Sequence, residues 1–167
     1  MPKSAAVGEN QKKFLRGNHN TTIICKMDDR VRTFLKTLQP KICVLATASK
    51  ESKPHCAVMG FALFSDDTIV FSTHTNTRKW QYLQDNKNVS VAVGWDFHDL
   101  NLQIDGVAEL IDKGEALEQT AHEFFQINPD AGKFRTPDIC FIKVRPTWIR
   151  KTDLSLTPPA IEEMNLI

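Results

Sequence analysis

The chain has 167 residues, a formal net charge of +1 and 41% hydrophobic residues. These values are typical of one soluble globular domain, and the near-neutral charge disfavours a protein that binds nucleic acid through a basic surface. No apolar run approaches the length of a membrane span, and the N-terminus lacks the apolar core of a secretory signal, so we expect a cytoplasmic protein. The four cysteines and five histidines show no metal-ligand spacing, which predicts reduced, buried thiols and no metal site.

The first half of the chain predicts one helix followed by three strands. Asp28 or Asp29 is the expected helix cap, and Pro40 ends the helix. Short apolar runs separated by turns then predict strands over 42–48, 54–64 and 69–73, with turns at 50–53 and 66–67.

The most informative pattern covers residues 69–85, where a strand runs through a hydroxyl-rich turn into an amphipathic helix. The first turn of a helix usually carries acidic residues, because its free N–H groups and the helix dipole make it positive. Two cations there point to a bound anion, and a phosphate satisfies N–H groups, hydroxyls and cations together. A capped surface helix with two solvated basic side chains is the alternative. With Thr75 or Asn76 as N-cap, the first turn holds Thr77, Arg78 and Lys79.

The second half predicts more strands and one more helix. Apolar alternation favours strands at 89–95 and 100–111, a helix at 114–126, a loop at 128–137, and one strand through 139–144 and 148–151, kinked at Pro146. The fold class is therefore α+β, mainly β: a six-stranded antiparallel split β-barrel with flanking helices, with a two-layer sandwich as the alternative. The expected organisation is a flexible arm over 1–22, a domain over 23–155 and a tail over 156–167.

These residues resemble the pyridoxamine 5'-phosphate oxidase-like flavin-binding split barrels. The resemblance is closest over residues 69–106, where a strand ending in Phe71-Ser72-Thr73 precedes Thr77-Arg78-Lys79 at the start of a helix. It continues through an Asn-x-x-Val strand opening at 86–89 and the Trp at residue 95. A weaker part covers 41–64, where a Leu-Ala-Thr strand, a turn and Pro-His lead into the second strand.

The resemblance implies FMN as the cofactor, held at the interface of a homodimer. Thr73, Thr77, Arg78 and Lys79 correspond to the groups that hold the flavin phosphate. The strand at 56–59 corresponds to one whose backbone amides lie along the edge of the isoalloxazine ring, and Asn101 to an amide that the second subunit contributes. The implied cofactor-binding set is Cys56, Ala57, Val58, Met59, Ser72, Thr73, Thr77, Arg78, Lys79 and Asn101.

The chain also departs from the vitamin B6 oxidases of this family. It has Ala57 where they carry an arginine for the flavin phosphate, Ala62 where they carry a lysine for the substrate phosphate, and no Arg-Leu-x-x-x-Arg signature after Trp148. Each lost charge-assisted contact is worth about 1.5–3 kcal/mol, which argues against oxidation of pyridoxamine 5'-phosphate.

Several functional interpretations stay open. The leading hypothesis is an FMN-dependent oxidoreductase that acts on an unidentified small molecule, with no catalytic residue assigned. The alternatives are a non-enzymatic flavin-binding or flavin-sensing protein, and the same fold holding haem or a deazaflavin. His55, near the expected ring position, is a candidate proton donor to a substrate or a hydrogen-bonded strand histidine.

Overall fold

The computed structural model describes residues 26–166, so the predicted arm over 1–22 and Cys25 lie outside the described residues. In the described part, eight strands form one antiparallel sheet, accompanied by three α-helices and a 3₁₀ helix. None of these helices is both long and apolar enough to cross a membrane. In chain order the elements are α1 (Asp29–Thr37), β1 (Ile42–Ala48), β2 (Pro54–Gly60), β3 (Ala62–Leu63), β4 (Ile69–His74), α2 (Arg78–Asp85), β5 (Asn88–Val93), β6 (Leu100–Ile111), α3 (Gly114–Ile127), the 3₁₀ helix (Pro129–Phe134), β7 (Ile139–Asp153) and β8 (Ala160–Asn165).

The sheet curls into a half-barrel because its two ends are neighbours in the sequence. The hydrogen-bonded order is β2-β1-β5-β6-β7-β4-β3, which puts β2 and β3 at opposite ends. Yet only Phe61 separates the two strands. Neighbouring strands lie about 4.8 Å apart, so a single residue cannot span a flat sheet of seven strands, and the sheet bends until its ends meet. The expected split barrel is confirmed, with eight strands rather than six.

The curled sheet is open between β2 and β4, a gap that we call the seam. β3 pairs with β4 only at Ile69 and Val70, so the rest of β4 has no strand on that edge within residues 26–166. The far end of the order is β2, which approaches β4 without pairing with it. Two strand edges therefore face each other across the seam with backbone groups free.

Two apolar clusters hold the sheet in shape. The barrel interior contains large buried side chains such as Phe71, Ile104 and Ile142, and helices α1 and α2 add Leu35 and Leu83 to it. A second cluster lies outside the barrel, where α3 packs on β4 and β7. Burial of these side chains against two faces of the same strands fixes the register of β4 and β7.

Two sequence predictions about the strands are wrong. The strand expected at 54–64 divides at Phe61, where the chain passes from one end of the sheet to the other. The strand expected at 89–95 ends at Val93, because Gly94 adopts φ +92° and turns the chain, leaving the Trp95 side chain exposed. The region expected as a tail over 156–167 contains β8, which pairs with the second half of β7.

The cysteine prediction is also only partly correct. Cys43 and Cys140 are free thiols and buried, as expected, but Cys56 is a free thiol with an exposed side chain.

An ionic network joins the two ends of the domain to β7. The Lys151 side chain on β7 is 5% exposed, and its Nζ lies 3.0 Å from a Glu162 carboxylate oxygen on β8 and 3.9 Å from one of Asp28, the N-cap of α1. Arg30 on α1 pairs with the buried Asp153 at the end of β7. A buried ammonium needs such partners, so α1, β7 and β8 depend on one another.

Gly94→Ala is expected to destabilise the fold. A Cβ at this position would lie 2.2 Å from the Leu100 carbonyl oxygen, and the positive φ adds about 1–2 kcal/mol for a non-glycine residue. The unfolding free energy, measured by urea denaturation, should fall by at least that amount. Gly132→Ala is the matched control, since its Cβ would meet nothing within 4 Å. Equal stability of the two variants would contradict the prediction.

Candidate anion and cofactor site

The junction between β4 and α2 is closed by one carbonyl group. The His74 carbonyl oxygen accepts hydrogen bonds from the Thr77 N–H at 3.2 Å and from the Thr77 hydroxyl at 2.9 Å. Thr77, with φ −82° and ψ 149°, is therefore the N-cap, and α2 begins at Arg78. The prediction of a cap at Thr75 or Asn76 is wrong, because these two residues form the turn itself.

The start of α2 keeps its donors free. The Thr77 hydroxyl bonds to His74 and makes no capping bond to the helix, and the first turn contains no acidic residue. Across the turn, the Thr73 hydroxyl lies 3.1 Å from the Thr77 hydroxyl. Two hydroxyls and the open N–H groups of an eight-residue helix thus converge, an arrangement that binds anions.

The two cations at this helix start have no counter-ion in the described part of the chain. Arg78 is exposed and Lys79 is half-buried, and neither forms an ion pair with any residue between 26 and 166. Burial lowers the pKa of the Lys79 ammonium. A half-buried cation without a partner costs free energy, and a bound anion would remove that cost.

Groups from β7 support the end of β4. The Cys140 thiol donates to the Thr73 carbonyl oxygen at 3.3 Å, and burial raises the pKa of this thiol to about 12, which keeps it neutral. On the other face of the strand, Asp138 Oδ2 lies 3.3 Å from His74 Nδ1. The distance suits an ion pair when the imidazole is protonated, but the buried Nδ1 makes no hydrogen bond there. These contacts fix the strand end that carries Thr73.

The register of β2 decides which of its backbone groups face the seam. The Ser49 N–H donates to the Lys53 carbonyl oxygen, and the Phe61 N–H donates to the Lys41 carbonyl oxygen. The register of β1 with β2 is the same between these two bonds. In an antiparallel pair these bonds recur at every second residue, so the N–H groups of Ala57 and Met59 donate hydrogen bonds to β1. The N–H groups of Cys56 and Val58 point into the seam.

Side chains on β2 alternate between two faces. His55, Ala57 and Met59 are half-buried and pair with buried residues of β1, so they lie on what we call the inner face, with Thr73 of β4. Cys56 and Val58 lie on the outer face. The same argument applies to β4, where the Phe64 N–H donates to the Thr68 carbonyl oxygen. Every second residue from Thr68 faces the same edge, so the Ser72 N–H points into the seam, and the Ser72 side chain lies on the opposite face from Thr73.

Asn101 lies apart from this group, on the outer face of the sheet. Its side-chain amide donates to the Gly94 carbonyl oxygen at 2.6 Å. Two residues further along the strand, Gln103 stands in a row with Ala92, Val44 and Val58 across β6, β5, β1 and β2. Val58 is 69% exposed and Ala92 is exposed, so this row presents an uncharged, largely apolar surface, and the exposed Asp105 follows on the same face of β6.

The structure thus brings most of the predicted site residues to one place. Thr73, Thr77, Arg78 and Lys79 converge at the end of the seam, and the backbone N–H groups of Cys56, Val58 and Ser72 line it. The contact between His55 and Tyr82, with ring centroids 6.2 Å apart, was not predicted. Its only sequence signal is the position of Tyr82 one helical turn after Arg78, because the approach of β2 to α2 depends on the curl of the whole sheet.

Comparison with known proteins agrees with this architecture. The family model described as pyridoxamine 5'-phosphate oxidase matches residues 27–153. The chain therefore belongs to the pyridoxamine 5'-phosphate oxidase-like family of split barrels. The pyridoxine/pyridoxamine 5'-phosphate oxidase of Shewanella halifaxensis (strain HAW-EB4) is 31% identical over 78 residues, which is 47% of this chain and 37% of that protein. The chain thus matches well under half of the length of that relative.

Solved structures share the fold at low sequence identity. A pyridoxamine 5'-phosphate oxidase-related, FMN binding protein from Nostoc punctiforme PCC 73102 aligns with a TM-score of 0.61 and 12% identity, covering 81% of this chain and 95% of that one. A heme binding protein from Mycobacterium smegmatis aligns with a TM-score of 0.61 and 15% identity, covering 75% of this chain and 52% of that one. At these identities the likeness shows the fold alone.

Lys79→Met is expected to leave the protein without added anions as stable as wild type or more stable, because it removes a half-buried charge that lacks a partner. Added inorganic phosphate should raise the Tm of the wild type by several degrees and that of Lys79→Met much less. Differential scanning fluorimetry in an anion-poor buffer measures both effects. Lys113→Met, at an exposed site before α3, is the control, and an equal phosphate response in all three proteins would contradict an anion site at Lys79.

Proposed function

We propose that this protein binds FMN and acts as a flavin-dependent oxidoreductase on a small molecule. The observation that carries the proposal is the junction at Thr77, where open helix N–H groups and two hydroxyls meet two cations that form no ion pair within residues 26–166. Membership of a family that includes an FMN binding protein supports the choice of anion. The phosphate of FMN is a dianion that suits this set of donors.

The seam suits the rest of the cofactor. In the proposal, Thr73, Thr77, Arg78 and Lys79 hold the phosphate, and the flavin ring lies along β2, with the N–H groups of Cys56 and Val58 directed at its edge. Bound flavin supplies the electron transfer. The chain orients the ring, and donors at the ring edge favour its reduced, more negatively charged form.

Pyridoxamine 5'-phosphate is not the substrate in this proposal. Ala62 stands where the resemblance places a lysine for the substrate phosphate, and it is 0% exposed, in the apolar cluster under α3 with Phe64 and Phe141. A phosphorylated substrate would lack its usual cation here, so an unphosphorylated substrate fits this site better.

A homodimer completes the site in this proposal. The resemblance places Asn101 of a second subunit at the flavin, and Asn101 lies on the outer face described above. The exposed, apolar part of that face around Val58 and Ala92 suits burial against a second copy.

The absorption spectrum of the purified protein, with FMN added, is the first test. A flavin spectrum is expected, whereas a Soret band would point to haem, and a protein that binds neither would overturn the proposal. Turnover assays with reduced nicotinamides and quinones then separate an enzyme from a flavin-binding protein without activity.

Replacing both Arg78 and Lys79 with alanine should raise the Kd for FMN by about 100-fold or more, because each charge-assisted contact contributes about 1.5–3 kcal/mol. Quenching of flavin fluorescence measures the Kd. The matched control removes two distant exposed cations, Lys113 and Arg145, and should keep wild-type affinity. Unchanged affinity in the Arg78/Lys79 variant would remove the phosphate assignment.

Ala92→Glu is expected to convert the dimer to a monomer, since it buries a charge at the proposed interface. Size-exclusion chromatography with light scattering measures the mass, and FMN affinity should fall with the dimer. Ala116→Glu, at an exposed position on α3, should stay dimeric. A wild-type protein that is monomeric with FMN bound would contradict the dimer.

A further inference from the structure

The inner face of β2 carries one side chain whose role the proposed function leaves open, the imidazole of His55. Its ring meets the ring of Tyr82 on α2 edge to face, with centroids 6.2 Å apart and an interplanar angle of 80°. Tyr82 lies one helical turn after Arg78, so the two share a face of α2. His55 therefore lies beside the cation-bearing end of this helix.

The charges around the imidazole agree with this placement. Burial, and then the positive charges of Arg78 and Lys79, lower the pKa of His55. On the other side of His55, β1 contributes Thr47, which carries no charge. The Thr47 hydroxyl lies 3.5 Å from the His55 carbonyl oxygen. Without an anion, the ring is thus a neutral group next to two cations, and an anion between them would favour its protonated form.

The position of His55 on β2 also matters. Side chains at every second residue share a face, so His55 and Ala57 lie on the same side of the strand. Ala57 stands where the resemblance places an arginine for the flavin phosphate. The long arginine side chain is replaced by a methyl group, and the next polar side chain on that face is the imidazole, two residues earlier.

We propose that His55 is a ligand of the flavin phosphate and binds a proton from solvent as the phosphate enters the site. This inference rests on the proposed FMN binding and adds a residue and a pH dependence to it. The bound dianion then meets three cations, Arg78, Lys79 and protonated His55. Protonated His55 supplies the positive charge that an arginine would supply at this site, and neutral His55 does not.

The sign of the pH dependence follows from linkage. The imidazole has a higher pKa in the complex than in the free protein, so FMN binds more tightly as the pH falls from the pKa of the complex towards that of the free protein. Uptake of one proton limits the change to about tenfold per pH unit. The second pKa of a phosphate is about 6, so between pH 8.5 and 7 the ligand itself stays a dianion.

The experiment compares Kd values for FMN and riboflavin at pH 7, 7.75 and 8.5 by flavin fluorescence. In the wild type, the Kd for FMN should fall by about three- to tenfold from pH 8.5 to pH 7. His55→Asn should bind FMN about tenfold more weakly at pH 7 and without pH dependence, while its Kd for riboflavin, which has no phosphate, should match wild type. His122→Asn, an exposed histidine on α3, is the matched control.

A second substitution tests whether the imidazole replaces the arginine. Adding Ala57→Arg to His55→Asn should restore tight FMN binding and leave it independent of pH, since the guanidinium stays charged throughout. Nuclear magnetic resonance of the wild-type imidazole should show its pKa rising when FMN is added.

Different failures have different meanings. A wild-type protein that binds no FMN overturns the proposed function and this inference together. If wild type binds FMN and His55→Asn binds it equally well at every pH, the inference alone is overturned. If His55→Asn loses affinity for FMN and riboflavin equally, His55 has a structural role and the inference is overturned. The same holds if Ala57→Arg does not restore FMN affinity in a folded protein.

Discussion

The structure depends on one topological constraint, the single residue Phe61 between two strands that lie at opposite ends of the sheet. Because β2 and β3 cannot separate, the sheet must curl, and the curl brings the free edge of β2 towards β4. β3 is only two residues long, so it covers the beginning of β4 and leaves the rest of its edge open. The open seam is therefore a product of strand length and connection rather than of any side chain within it.

At the end of this seam, the chain places charge where packing gives no compensation. The His74 carbonyl oxygen accepts hydrogen bonds from both the N–H and the hydroxyl of Thr77, so the N-cap side chain makes no bond to the first turn of α2. This turn also contains no acidic residue. Arg78 and Lys79 then add like charge to an end that is already positive. Such an arrangement costs the free protein stability. It is typical of functional sites, where binding of a ligand offsets the cost.

Local patterns predicted much of this molecule. The bounds of β1 and β6 agree with the sequence prediction residue for residue, because clear turns flank the first and regular alternation marks the second. Thr73, Thr77, Arg78 and Lys79 lie within seven residues of one another, so their convergence needs only a strand, a turn and a helix. The helix cap was misplaced by one or two residues, because Thr75, Asn76 and Thr77 are all good caps and the turn geometry decides among them.

Features that depend on distant segments could not be predicted. The pairing of β8 is one example. Pro158 and Pro159 precede β8, so the sequence indicates a tail there, and the partner strand is the second half of β7. The backbone groups that face the seam are another, because they follow from the register of β1 with β2 and not from residue types. His55 meets Tyr82 only because the sheet has curled.

The buried Lys151 has a consequence for how the molecule unfolds. One ammonium group is shared by the N-cap of the first helix and by the last strand, two segments more than 130 residues apart in the chain. Fraying of α1 or of β8 removes one of the two carboxylates that stabilise this buried charge, so loosening of one element promotes loosening of the other. The amide hydrogens of α1 and β8 should therefore exchange as one cooperative unit, although the two elements lie near opposite ends of the described residues.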